Sequence, residues 1–352
     1  MLSVVRYGLG KGEVELREVP IPQIGEGDVL LRVHSAGLCG SDINTYMGRG
    51  SGKTVPLIMG HEFAGTVAAV GRRVTRWKEG DRVVSDNTGA VCGSCYACMQ
   101  GEYLQCPNRL GLGGAIDGGF AEYVRIPEQA LSPFPNCLWR VPDDMSLEVA
   151  AILDPPSNGY NAIIQQGGLI AGETVAVMGV GPLGLGGIGA ASAAGASKVI
   201  ALVRASTSAL HREAARKMGA THIIETDTQD ARAEILRLTD GEGVAITNNC
   251  AGPASTFPLC VDITRNGGKI VMTGYDWEHP LNHEITTMTD RNISLVGHMG
   301  YNPTSWRNVI RLIEAGKLDI RPMITHELPL KDFHEGVRLM QSRQAIKVIF
   351  HP

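Results

Sequence analysis

The stretch TVAVMGVGPLGLGG, Thr174 to Gly187, limits the fold of this chain more than any other. A short β-branched run ends in Gly179, Gly181 and Gly184, spaced G-x-G-x-x-G, with Pro182 and Leu183 inside the turn and small apolar residues behind it. The first run favours a strand and the second a buried helix. Glycines at this spacing close the turn tightly and let backbone N–H groups approach a pyrophosphate at the helix N-terminus. Alone, the pattern is weak. Its surroundings make it specific: strand-like Lys198–Val203, Thr221–Ile224, Val244–Asn248, Gly268–Gly274 and Asn292–Gly297 alternate with helical segments such as ARAEILRLT. That alternation predicts βαβ units, an α/β fold with a doubly wound parallel sheet, and a dinucleotide site. Asn302-Pro303 has the cap residue and first-turn proline of one more helix.

From Thr174 to Ser197 there is no charged residue, a length that could span a bilayer. Its Gly and Ala content and β-branched opening fit a strand, turn and helix instead, so no membrane segment is expected.

The acidic residue that commonly grips the adenosine ribose at the end of the second strand is missing, because no Asp or Glu occurs between Glu173 and Glu213. The strand ends at Val203, followed by Arg204, Ser206 and Thr207, with His211 and Arg212 close behind. A guanidinium with hydroxyls suits a 2′-phosphate, so NADP is expected over NAD.

The first half of the chain has a β texture, as in Val29–Gly37 and Phe63–Val70. Within it, VCGSCYACMQGEYLQC places Cys92, Cys95, Cys98 and Cys106 close together, half of the chain's 8 cysteines. The opening MLSVVRYGLGKGEVELREV lacks the apolar core of an export signal, so a cytoplasmic, reducing setting is expected and the thiols point to metal rather than disulfides. Four thiolates leave no position for solvent, the pattern of a closed structural zinc that pins a loop. A second group joins Cys39-Gly-Ser-Asp42 to Gly60-His61-Glu62, with Asp154 in LDPPSN as a further oxygen donor. Three protein ligands and an open position suit a catalytic zinc that polarises an alcohol or carbonyl oxygen. Taken singly, Cys39 also reads as a buried thiol and His61 as a hydrogen-bonded structural imidazole.

A chain of 352 residues is long enough for two domains, and 19% charged with 43% apolar residues is a globular composition. The net charge is −4 with no basic stripe, so neither nucleic acid nor an anionic membrane is an expected partner.

Cys39-Gly-Ser-Asp42, Gly60-His-Glu-Phe-Ala-Gly65, Gly80-Asp-Arg-Val83, the four-cysteine segment, Asp117-Gly-Gly-Phe-Ala-Glu-Tyr123 and the glycine fingerprint run through nearly the whole chain. With them the chain resembles the zinc-containing medium-chain alcohol dehydrogenases, above all the sorbitol, threonine and polyol dehydrogenase branch. The resemblance implies a GroES-like, β-rich catalytic domain from residues 1–153 and 298–352, carrying the cysteine lobe at about 91–107. A Rossmann domain over residues 154–297 is inserted in it, with the active site in the cleft. The resemblance implies two zinc ions per chain, one structural and one catalytic.

By the same resemblance Cys39, His61 and Glu62 hold the catalytic zinc. Asp154 stands where the branch usually has Glu, and its shorter reach leaves it acting directly or through water. Ser41 takes the alcohol proton, and Asp42 orients the histidine. Asn44 occupies the place of a relay histidine and cannot titrate, so the proton leaves by another path. Gly274 and Gly297 are expected beside the cofactor. The implied reaction is hydride transfer between a secondary alcohol, such as a polyol or sugar, and a nicotinamide. Dehydrogenation of an amino alcohol such as threonine, or carbonyl reduction in reverse, is the alternative. An aromatic content of 5% offers little for a bulky apolar pocket. A homodimer or homotetramer is expected through the strand NISLVG. The segment Ser132–Arg140 is longer than the family pattern and reads as a pocket element, an interface or a plain loop insertion.

Overall fold

The computed structural model describes residues 1–352 except 51, 53, 133–135, 277 and 282. Part of the Ser132–Arg140 insertion therefore lies outside the described residues. The chain begins with β1 (Leu2–Arg6), β2 (Val14–Glu18), β3 (Val29–Gly37), β4 (Leu57–Ile58), β5 (Glu62–Val70), β6 (Arg82–Ser85), β7 (Tyr123–Ile126) and β8 (Leu138–Arg140). It continues with β9 (Thr174–Met178), β10 (Lys198–Val203), β11 (His222–Glu225), β12 (Val244–Asn249), β13 (Thr264–Met272) and β14 (Ser294–Gly297), and closes with β15 (Ile324–Pro329) and β16 (Lys347–His351). Two units result, one formed by Met1–Asp154 with Ile324–Pro352 and the other by Pro155–Met323.

In the first unit a small sheet runs β2-β1-β4, and a larger one runs β15-β16-β3-β5-β6-β8 with β7 also on β3. Along β3, Val29, Leu31 and Val33 are buried while Arg32 and His34 are exposed, the period of two of a strand with one wet face. The buried face meets an aromatic cluster in which the Phe120 ring lies 5.5 Å from Phe333 and 5.6 Å from Phe350. Each fully buried phenylalanine contributes roughly 1.5–3 kcal/mol. The register of this sheet builds a site. Antiparallel pairing sets Gly37 opposite Glu62 on one side and opposite Ile349 on the other. Residues just past Gly37 therefore meet residues just before Phe63 and Ile349, three segments far apart in sequence.

The second unit holds six parallel strands in the order β11-β10-β9-β12-β13-β14. From β9 the chain moves outward to β10 and β11, then returns to pair β12 with the other edge of β9. That reversal opens a crevice at the carboxyl ends of β9 and β12, where such sheets bind ligands. Helix Pro182–Ala193 follows β9 and lies backbone to backbone on helix Asp154–Tyr160. A Cβ on Gly186 would come within 2.4 Å of the Pro155 carbonyl, so the small residues of the uncharged stretch serve this close approach. Among the described residues, no helix is long and apolar enough to cross a membrane.

The C-terminal boundary lies at Met323/Ile324 rather than at 297/298. Helix Pro303–Glu314, capped by the Asn302 side chain at Ser305 N (3.0 Å), is tied to the second unit by its polar contacts. Asn308 Nδ2 donates to the Tyr160 hydroxyl (3.1 Å), Ser305 Oγ to Gln165 Oε1 (2.7 Å), and Asn161 Nδ2 to the Gly300 carbonyl (3.0 Å). Residues 161–166 of that contact surface form a turn of π-helix, a form that hydrophobic periodicity does not reveal.

Candidate metal centres and dinucleotide site

β3 delivers Cys39 to the N-cap of helix Gly40–Tyr46, and β5 begins at Glu62. The donor atoms of Cys39, His61 and Glu62 all lie within 4.8 Å of one another. Asp42 accepts from the Cys39 N–H (3.0 Å) through Oδ2, and its Oδ1 lies 3.4 Å from His61 Nδ1. The imidazole is thereby fixed with Nε2 free to ligate. Ser41 Oγ lies 3.5 Å from that Nε2, on an exposed residue. Asn44, one turn on, is exposed and contributes its carbonyl to Arg49 N (2.8 Å). Asp154 is outside the three-donor cluster, although its charge acts on Lys347.

Lys347, on β16, completes the group. It is fully buried, its Nζ contacts both carboxylate oxygens of Glu62, and it donates to the Leu38 carbonyl (3.3 Å). Burial opposes its charge, but the Glu62 and Cys39 sites hold it above the ordinary lysine range. Burial also pushes the Cys39 thiol upward, yet Lys347 and His61 overcome it and lower the thiol to about 7. A thiol poised for deprotonation, an oriented imidazole and a carboxylate are a donor set that fits zinc.

The second cluster is equally tight. Cys92, Cys95, Cys98 and Cys106 bring their sulfurs within 4.8 Å of one another, with Cys92 and Cys106 at 3.6 Å. Backbone N–H groups of Ser94 and Cys95 aim at Cys92 and lower it to about 6, whereas burial pushes Cys98 up to about 12. Four sulfurs at this spacing, partly stabilised as thiolates by N–H donors, fit a closed tetrahedral zinc. All eight cysteines are free thiols.

At the end of β9, Gly179 adopts φ 91° and Gly181 caps the helix that Pro182 opens. A Cβ on Gly184 would sit 1.9 Å from the Gly179 carbonyl oxygen, while one on Gly181 would meet nothing within 4 Å. Gly184 is thus required by the turn itself, and Gly181 faces open space where a pyrophosphate could approach. Leu183 lies in the first turn of the helix. Gly274 packs on the Gly252 turn, where a Cβ would come within 2.3 Å of Gly252 N, and Gly297 ends β14. These residues share the carboxyl edge of the sheet. So do Val203, Arg204 and Ser206 at the end of β10, the last two of them exposed.

Comparison with known proteins agrees with both halves of this picture. Residues 25–136 match the alcohol dehydrogenase GroES-like domain, and residues 182–315 match the zinc-binding dehydrogenase model. An uncharacterized zinc-type alcohol dehydrogenase-like protein, YdjL, of Escherichia coli (strain K12) is 36% identical over 352 residues, 99% of this chain and 98% of its own. This chain belongs to the zinc-type alcohol dehydrogenases. The L-threonine 3-dehydrogenase of Bacillus subtilis (strain 168) is 36% identical over 96% of this dehydrogenase and 94% of its own length. The sorbitol dehydrogenase of the same strain is 33% identical over 97% and 94%. Among solved structures, a zinc-binding dehydrogenase from Sinorhizobium meliloti 1021 bound to NADP superposes with a TM-score of 0.90 at 27% identity, covering 100% of this chain and 99% of that one. A short chain alcohol dehydrogenase from Escherichia coli CFT073 complexed with NADH gives 0.88 at 25%, covering 100% and 99%. The enzyme is an oxidoreductase.

Two features of this dehydrogenase escape the sequence. Lys347 reaches Glu62 only through the pairing of β16 with β3. Arg212, expected to add positive charge for a phosphate, is committed to the fold instead. Its guanidinium donates to the Thr207 (3.0 Å), Arg204 (3.0 Å) and Ala205 (3.1 Å) carbonyls and pairs with Glu225 at 2.8 Å. Asp227 joins the same loop from beyond β11. The carboxylates missing from the second strand are therefore present in space, brought by the third.

Proposed function

We propose that this dehydrogenase oxidises a secondary alcohol with neighbouring hydroxyls, a polyol or sugar, using NADP and two zinc ions per chain. Cys39, His61 and Glu62 would hold one zinc, and Cys92, Cys95, Cys98 and Cys106 the other. The observation that carries this reading is the three-donor cluster with the Ser41 hydroxyl beside it.

Zinc bound there would supply the Lewis acidity that lets an alcohol hydroxyl lose its proton near neutral pH. The turn from Gly179 to Gly184 would hold the pyrophosphate of a nicotinamide dinucleotide, which would supply the hydride acceptor. The chain's own residues do the rest. Ser41 Oγ takes the hydroxyl proton and passes it to solvent from its exposed position, since Asn44 offers no titrating group. Asp42 keeps His61 in one tautomer and orientation. Lys347 holds both oxygens of Glu62, fixing the carboxylate against the sheet. Asp154, whose charge acts on Lys347, serves this group as a further oxygen donor, directly or through water.

The choice of NADP rests on this chain's residues, because solved relatives carry either cofactor. Arg204 presents a side chain 75% exposed beyond Val203, with the Ser206 hydroxyl beside it. The polyol reading is supported by the sorbitol dehydrogenase relative, and the L-threonine 3-dehydrogenase relative supports an amino alcohol as the second reading. A cytoplasmic setting fits the free thiols. A homodimer or homotetramer fits the free edge of β14, where Leu295 is exposed; a monomer mass in light scattering would contradict it. The test of the function is a panel of polyols, sugars and amino alcohols assayed with each cofactor by the absorbance of reduced nicotinamide. A polyol with NADP is expected to give the highest kcat/KM, and turnover with none of the panel would defeat the proposal.

A further inference from the structure

The loop that follows β10 is braced from below by the chain leaving β11. Asp227 Oδ1 accepts from the Ala205 N–H at 2.7 Å, and Oδ2 lies 3.6 Å from Arg204 Nε. Arg212 closes the other side of the loop through three carbonyls and Glu225, and Arg204 N donates to Thr207 Oγ1 (3.2 Å). The acidic and basic side chains here balance, with Arg204 and Arg212 against Glu225 and Asp227. An anion at this loop would meet no net positive field. It would meet one guanidinium whose Nε edge is turned to Asp227 and whose two terminal nitrogens have no hydrogen bond among the described residues. A guanidinium in that orientation presents the fork that pairs with phosphate oxygens.

We propose that Asp227 is the positioning residue for the adenosine 2′-phosphate: it holds the Nε edge of Arg204 so that the terminal nitrogens face the phosphate. The inference rests on the NADP reading above. It opposes the expectation from charge alone, by which a carboxylate beside a phosphate site weakens binding. An exposed arginine must lose rotamer freedom to grip a ligand, and an ion pair that orders it beforehand removes part of that cost. The backbone bond from Ala205 keeps Asp227 ionised and fixed, holding its carboxyl below the usual aspartate range.

The test uses the full-length protein and isothermal titration with 2′,5′-ADP and 5′-ADP. Asp227→Asn keeps an oxygen for the Ala205 N–H and removes only the charge facing Arg204. The expected result is that wild type prefers 2′,5′-ADP and that D227N weakens 2′,5′-ADP by about three- to tenfold, the range that ordering one long side chain commands, with 5′-ADP changed less than about twofold. Asp227→Ala, which also frees the Ala205 N–H, should weaken both ligands. If wild type prefers 2′,5′-ADP and D227N binds it as tightly or more tightly, the positioning role is overturned and the NADP reading stands. If D227N weakens both ligands equally, Asp227 is a loop brace only and the role is likewise overturned. If wild type shows no preference, the NADP reading itself fails.

Discussion

Asn248 offers a direct test of how the cofactor crevice is held. It is fully buried on β12 between Thr247 and Asn249, which are also buried. Its Nδ2 donates to the Val271 carbonyl (3.2 Å) and to Thr273 Oγ1 (2.7 Å), and its Oδ1 accepts from Cys250 Sγ (3.1 Å). The carboxamide thus ties the end of β12 to the end of β13, next to Gly252 and Gly274. Asn248→Leu keeps the branched shape and heavy-atom count of the carboxamide and replaces its polar atoms with methyl groups, so the hydrogen bonds are removed without leaving a cavity. Three bonds at about 0.5–1.5 kcal/mol each would give about 1.5–4.5 kcal/mol. Leaving the Thr273 hydroxyl and the Val271 carbonyl without this partner favours the upper half of that range, since unsatisfied buried groups cost about 1–3 kcal/mol apiece. Urea unfolding followed by circular dichroism should therefore show a loss of about 3 kcal/mol. Titration with NADP should show weaker binding, because the side-chain tie between the ends of β12 and β13 is lost and only the backbone bonds from Thr273 N and Gly274 N to the Asn249 carbonyl remain. A loss below about 0.5 kcal/mol with unchanged NADP affinity would mean that the buried bonds contribute no more than an apolar replacement and that Asn248 does not hold the crevice.

Cys95→Ser should cost the lobe its zinc, because three thiolates no longer close the tetrahedron; metal analysis should fall by one equivalent per chain and the lobe should become protease-sensitive, while retained metal would contradict a four-sulfur site. His298 supplies a pH prediction. It is buried, 2.7 Å from Gln166 Oε1 and 3.4 Å from Asn158 Oδ1, and burial lowers its pKa from 6.5 to about 4. The unfolded chain therefore binds the proton first, so stability present above pH 6.5 is lost as pH falls towards 4, by roughly 3 kcal/mol in all. His298→Gln should flatten that part of the stability profile relative to wild type; an unchanged slope would show that another group sets it.

Much of the site was legible because its signals are local. The glycine turn reads from sequence because Gly184 must meet the Gly179 carbonyl five residues back, a constraint held within one turn. The cysteine lobe reads for the same reason. Cys39 and His61 needed only the antiparallel pairing of two neighbouring strands. What escaped depends on long-range adjacency. Lys347 follows Glu62 by most of the chain, and nothing near it announces a buried lysine. Asp227 and Glu225 reach the cofactor loop because β11 lies beside β10, so counting carboxylates along the second strand alone missed them. The domain boundary slipped for a similar reason: the helix after Asn302 looks independent in sequence but hydrogen-bonds to residues 160–165.

If the Cys39–His61–Glu62 cluster holds the metal on which turnover depends, removing one of its donors must stop the reaction and spare the fold. Wild type and His61→Ala are compared by steady-state oxidation of the best alcohol and by NADP titration on the same preparations. The variant should lose turnover by at least about a hundredfold, as expected when a group acting on the reacting oxygen is removed, while its unfolding transition and NADP affinity remain near wild type. Turnover in His61→Ala close to the wild-type rate, with the protein folded, would contradict that role of the cluster.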